Sequence, residues 1–213
     1  MTKIYPDLYQ LTYVMERADI SVHQYLLMTE EPILVQIGAI PEAKEILSEV
    51  KELLGEQPLK YLLISHFEAD ECGGVTLAIK EYPDLTCVCS RTTAEQLLGF
   101  DLAKNIKIME HGEKLVGNDF ELQAIEYPSE MHMQQGLVFT ENKRNIFFSA
   151  DLMFAFGKNH GQVIQSSWAD AVENSGAKRL PSVEMQKKVT EHLKAICPAF
   201  VASGHGPCMK IIA

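Results

Sequence analysis

The spacing of the apolar residues constrains the fold more than any other feature of this chain. They fall in short runs at 24–29, 32–37, 60–65, 85–89, 105–109, 120–125, 136–140, 145–148 and 199–202, each the length of a strand. Some neighbouring runs are separated only by a few polar residues, at Glu30-Glu31, Gly117-Asn118-Asp119 and Glu141-Asn142-Lys143-Arg144, which suits hairpins. Others are separated by helical stripes. Pro41 suits a first helical turn, Ile46, Leu47, Val50, Leu53 and Leu54 share one face, and Gly55 closes the end. Further helices are predicted over 73–82, over 93–98, and from Ser182 to just before Pro198, with Met185, Val189, Leu193 and Ile196 on one face. Hairpins mixed with strand–helix alternation predict α/β layers with mixed sheets rather than a purely parallel, doubly wound sheet. With no repeat and no Pro/Gly/Ser-rich linker, residues 1–213 read as one domain. The polar stretch 158–180 has no clear period and reads as a lid over a site.

Charge and cysteine content narrow the function. A formal charge of −10 repels phosphate backbones, so nucleic acid is not an expected partner. No run is long enough to cross a membrane, and no apolar segment follows Lys3 as an export signal would require, so a cytoplasmic location is expected. The five cysteines are odd in number and form no C-x-x-C pair. They read as buried thiols, Cys87 and Cys89 on one face of a strand and Cys72 packed at the start of a helix, rather than as a disulfide framework.

Chemistry concentrates in one loop. Ser65-His66-Phe67-Glu68-Ala69-Asp70-Glu71 follows the apolar run Tyr61-Leu62-Leu63-Ile64 and precedes a helix. Three carboxylates beside a histidine repel one another unless a cation offsets them. Three more metal-binding residue types stand next to or between predicted strands: His132 in Pro128-Ser129-Glu130-Met131-His132, Asp151 after Phe147-Phe148-Ser149-Ala150, and His205 in Ser203-Gly204-His205-Gly206. His160, Tyr127, Phe154 and Trp168 read as loop or core residues, and His23, His111 and His192 as structural or surface ones.

The order H-x-E-x-D, then His, then Asp after an apolar strand, then G-H-G resembles the metallo-β-lactamase superfamily. Glu68, where hydrolytic members carry histidine, resembles the branch of flavodiiron and oxygen-binding di-iron proteins. The resemblance implies an αββα sandwich with two mixed β-sheets and a dinuclear site at the strand ends. It implies that His66, Glu68 and His132 bind one iron, that Asp70 and His205 bind the other, and that Asp151 bridges them. Imidazole and carboxylate without thiolate also suit iron or manganese on their own chemistry. Glu71 stands where the family pattern has histidine, and is left open between a metal ligand and a neighbour of the ligands.

The resemblance implies a protein that binds or reduces O2 or NO at two iron ions, commonly as a homodimer. Flavodiiron proteins continue into a domain carrying FMN, whereas this sequence ends eight residues after His205. The expected partner is therefore a separate flavoprotein or rubredoxin-like electron donor, or a signalling partner if the protein is an oxygen sensor. Two other readings stand beside this one: a zinc- or manganese-dependent hydrolase using metal-bound hydroxide, and a scaffold for protein interaction with a degenerate metal site.

Overall fold

The computed structural model describes residues 1–128 and 135–212. One seven-stranded sheet runs in chain order from β1 (Thr2–Tyr5), β2 (Leu8–Met15), β3 (Ile20–Leu27) and β4 (Ile33–Val35) to β5 (Tyr61–Leu63), β6 (Thr86–Cys89) and β7 (Ile106–Ile108). Its first four strands pair antiparallel and the rest parallel, so the sheet is mixed. Four helices belong to this half: α1 (Ile40–Leu54), α2 (Ala69–Cys72), α3 (Val75–Glu81) and α4 (Arg91–Gly99).

The second seven-stranded sheet contains β8 (Lys114–Val116), β9 (Glu121–Pro128), β10 (Gln135–Glu141), β11 (Ile146–Ala150), β12 (Val163–Ser167), β13 (Phe200–Ser203) and β14 (Cys208–Ile212), in the order β12-β14-β13-β11-β10-β9-β8. The pairs β11–β13 and β12–β14 are parallel, and the others antiparallel. Helices α5 (Trp168–Glu173) and α6 (Val183–Lys194) accompany it.

Three apolar clusters define the layers. Ile46, Val50, Val75 and Leu97 from the helices meet Leu26, Leu34 and Leu62 on one face of the first sheet. Tyr25, Leu27 and Leu63 on the opposite face meet Phe139, Phe148 and Phe200 from the second sheet. Phe147 and Val201 on the far side of that sheet are covered by Ala171, Val189 and Leu193. Helices therefore flank two face-to-face sheets, the expected αββα sandwich. Among the described residues, no helix is long and apolar enough to cross a membrane.

Each predicted run lies on a strand, and each predicted hairpin joins an antiparallel pair. The 73–82 helix is α3, over Val75–Glu81, with the short α2 standing unexpected just before it, and the 93–98 helix begins earlier, capped where the Ser90 hydroxyl accepts from Thr93 N–H.

The stretch 158–180 is regularly structured rather than a loop, and Ile164, Asp170 and Asn174 from it line a cleft together with His205. That stretch supplies edge strand β12, helix α5 and a short 3₁₀ turn over Gly176–Arg179. Trp168 donates its indole N–H to Leu193 O at 3.0 Å and packs edge-on against Phe147. An exposed edge strand needs no apolar alternation, which is why the sequence looks patternless there.

All five cysteines are free, and only Cys197 is exposed. Burial pushes the Cys72 and Cys87 thiols up to about 12 and Cys208 up to about 11. In the folded protein at mildly alkaline pH, a colorimetric thiol reagent is expected to titrate Cys197 quickly and the other four thiols only after denaturant is added. Fast reaction of several thiols would contradict this packing.

Candidate metal centre

The site forms where strand ends meet. Parallel pairing of β11 with β13 sets Asp151 and His205 just beyond their C-terminal ends, on the same side. The chains approach so closely that a Cβ at Gly204 would stand 2.9 Å from Ala150 carbonyl atoms, so only glycine fits there. Ala150 itself turns through φ +44°, which aims the following Asp151 away from the strand. The loop after β5 comes from the facing sheet. Gly136 lets β10 pass against it, for a Cβ there would lie 2.9 Å from Ser65 O.

The described residues of the predicted set converge. Asp151 stands between the two histidines, with Oδ1 3.1 Å from His205 Nε2 and Oδ2 3.4 Å from His66 Nε2. Glu68 Oε2 lies 3.2 Å from His66 Nε2, and Asp70 Oδ2 lies 3.6 Å from His205 Nε2. Glu71 is central rather than peripheral. Its Oε2 lies 3.8 Å from His66 Nε2, and Glu71 belongs to both compact groups, His66–Glu71–Asp151 and Asp70–Glu71–His205. Ligand atoms within each group lie within 4.8 Å of one another. His132 lies outside the described residues.

Hydrogen bonds at the far ring nitrogens turn both histidines toward the cluster. His205 Nδ1 is 3.1 Å from Ser21 O, a carbonyl that can only accept, so Nδ1 carries a proton and Nε2 faces the carboxylates. His66 Nδ1 is 3.0 Å from Ser65 Oγ, which can fill the same role. This is how proteins usually fix a metal-binding imidazole.

The electrostatics point the same way. Burial, then the charges of Asp151 and Asp70, push the Glu71 carboxyl well above the ordinary carboxylate range. For His205, burial favours the neutral ring, but its hydrogen bond with Asp151 and the charges of Asp151 and Asp70 outweigh this and hold it above its usual value. Glu71 Oε2 is buried without a hydrogen-bond partner among the described residues. A buried carboxylate cluster with two imidazoles aimed into it and no thiolate fits a hard or borderline cation, which would relieve both the repulsion and the unsatisfied oxygen.

Several residues here were not singled out from sequence. Ser65 and Gln36 form the hydrogen-bonded floor of the site, and Tyr13, raised by burial and by the charge of Asp70, lies beside it. Ser65 could have been suspected from its place next to His66. Nothing in the run Ile33-Leu34-Val35-Gln36 marks the glutamine. Phe154, half-buried, packs its ring 5.2 Å from that of His205 and helps line a cleft of about 200 Å³, whereas Tyr127 is core. His23 is buried between Thr12 Oγ1 and Gly206 O, and His111 stacks on His192, both structural roles. His160 bonds Thr2 Oγ1 away from the cluster.

Comparison with known proteins agrees with this architecture. The family model described as ODP family beta lactamase matches residues 20–206. An anaerobic nitric oxide reductase flavorubredoxin from Salmonella arizonae is 23% identical over 143 residues, which are 66% of this chain and 29% of that protein. The chain thus spans about a third or less of the length of these curated relatives. Among solved structures, the flavodiiron protein from Giardia intestinalis gives a TM-score of 0.78 at 19% identity, covering 98% of this chain and 55% of that one. Rubredoxin oxygen:oxidoreductase from Desulfovibrio gigas gives 0.78 at 14% identity, covering 98% of this chain and 57% of that one.

Proposed function

The chain belongs to the family described as ODP family beta lactamase, and from that premise we propose that it is a non-haem di-iron protein that binds and reduces O2 or NO. The observation that carries the proposal is Asp151, one carboxylate with an oxygen toward each of two oppositely placed histidines. His66, Glu68 and His132 would hold one iron, Asp70 and His205 the other, with Asp151 bridging and Glu71 reaching both. Iron would supply one-electron redox changes and open positions for a diatomic gas. A set this rich in carboxylate favours iron over zinc. The names of the relatives, a nitric oxide reductase flavorubredoxin and a rubredoxin oxygen:oxidoreductase, support the choice of gases and a separate flavoprotein or rubredoxin-like donor.

The chain's own residues do the positioning. Ser21 O and Ser65 Oγ fix the two imidazoles by their Nδ1 atoms, so each Nε2 is preset. Glu71 and His205 hold protons more tightly than isolated side chains do, and must release them as a cation enters. Glu68 and Asp70 are partly exposed and form the open side, while His66, Glu71 and Asp151 lie behind them in the protein.

The test is gas uptake by iron-loaded, reduced chain supplied with a reduced rubredoxin, followed with an O2 or NO electrode. Uptake through many turnovers is expected, and must exceed that of an Asp151→Asn variant treated identically. Uptake that stops when the sites are filled would make the chain a gas sensor. Uptake equal to that of the variant would contradict the proposal.

A further inference from the structure

Gln36 follows directly on β4, and its backbone is unusual. Its φ is +61°, a left-handed conformation that costs a residue with a side chain about 1 kcal/mol or more. In β4, Leu34 faces the helices and Val35 faces the second sheet. Simple alternation would send Gln36 toward the helices. The left-handed turn breaks that alternation, and Gln36 instead lines a small cavity between the sheets with Tyr25, Val35 and Ser65. It is 2% exposed there.

The backbone around it is tied to the metal-centre loop. Gln36 N–H donates to Leu63 O at 2.9 Å, extending the pairing with β5, and Ile37 N–H donates to Glu71 O at 3.0 Å. The side chain completes the connection. Gln36 Nε2 lies 3.3 Å from Glu71 Oε1 and 3.3 Å from Ser65 Oγ, and Ser65 Oγ lies 3.0 Å from His66 Nδ1. One amide therefore touches the supports of two groups in the cluster.

We propose that Gln36 is a positioning residue for the metal centre, holding Glu71 by Oε1 so that Oε2 faces the cluster, and steadying His66 through Ser65. This rests on the reading of the cluster as a metal centre. The chemistry requires a neutral donor at this position. A carboxylate would repel Glu71, and an apolar side chain would leave Oε1 without its Gln36 donor. Ser65 Oγ has two lone pairs, one for Gln36 Nε2 and one for His66 Nδ1–H, and that second bond turns His66 Nε2 toward the cluster. The backbone strain at Gln36 is thus matched to a contact that an extended residue could not make.

The experiment compares wild type, Gln36→Leu, Gln36→Glu, Glu71→Ala and the Gln36→Leu/Glu71→Ala double variant, all as full chains. Ferrous iron is titrated anaerobically against a competing chelator, and the melting temperature of each metal-free protein is recorded. Gln36→Leu is expected to weaken iron binding at one position by about 10–100-fold, the usual cost of losing a partner of a metal ligand. Gln36→Glu keeps the volume and should lose at least as much. In the Glu71→Ala background, Gln36→Leu should cost little more, because its main partner is already gone.

Unchanged iron affinity in both Gln36 variants would overturn the proposal and leave the metal centre standing. The same loss from Gln36→Leu with and without Glu71 would make Gln36 a support of the fold, which also overturns it. A wild-type chain that takes up no iron would overturn the metal-centre reading, and this proposal with it.

Discussion

Replacing Asp151 with asparagine is expected to strip iron from both positions and to abolish the stability that iron adds. Its two oxygens face different histidines, at 3.1 Å and 3.4 Å, so it reaches across the pair by both ends. Asparagine keeps the shape but removes the charge, and turns an NH2 group toward one histidine or the other. A ligand present at roughly 100–1,000 times its Kd stabilises a protein by about 2.7–4.1 kcal/mol. Denaturant unfolding of iron-loaded and metal-free wild type should differ by that order, and the difference should vanish in Asp151→Asn. The metal-free variant should still fold, because removing this charge eases the crowding around Glu71. Full iron content in the variant would refute the bridging role.

The second large effect lies at the opposite kind of carboxylate, one whose partners are all protein. Glu141 is fully buried at the end of β10, where the chain turns toward β11. Its Oε1 accepts from Glu121 N–H at 3.0 Å and Lys143 N–H at 3.1 Å, and its Oε2 accepts from Arg144 N–H at 2.8 Å. The Arg144 guanidinium lies 3.7 Å from that carboxylate and also reaches Asp7 and the Asp119 carbonyl, linking turns of both sheets. Glu141→Ala leaves three backbone amides without this acceptor and the half-buried Arg144 without its buried partner, and is expected to cost about 3–5 kcal/mol. Glu141→Gln, which keeps acceptor capacity, should cost less. Removing the exposed Lys178–Glu173 pair should change stability by less than about 1 kcal/mol. Denaturant titrations of metal-free proteins give all three values, and a loss near that of the surface pair for Glu141→Ala would contradict the packing described.

How much of this was legible in the sequence follows from where each element sits. β5 and β6 lie inside the sandwich and must be apolar on both faces, so Tyr61-Leu62-Leu63 and Thr86-Cys87-Val88-Cys89 announce themselves. β3 was seen only from Gln24, because Ser21 and His23 are polar yet buried. Their hydrogen bonds to Gly157 O and Gly206 O satisfy them in ways no periodicity reports. β8, β12 and β14 are short or half-exposed, and a strand with a wet face need not alternate cleanly. Periodicity did not reveal β1 and β2 either, and the opening strands were expected only from the family resemblance.

The site was legible where chemistry is written in one stretch, as in the His66–Glu71 loop, and where a ligand type follows an apolar strand, as at Asp151 and His205. Glu71 could not be placed from sequence, since its orientation depends on an amide 35 residues earlier in the chain. Gln36 left no trace at all. Its role rests on a backbone turn that reverses the direction of one side chain.

The most direct test of the central claim is the metal content of the chain, measured by elemental analysis on protein made with iron available and purified without air. The account predicts about two iron ions per chain, retained in preference to zinc when both are offered. A chain that binds zinc preferentially, or retains no metal under those conditions, would contradict it.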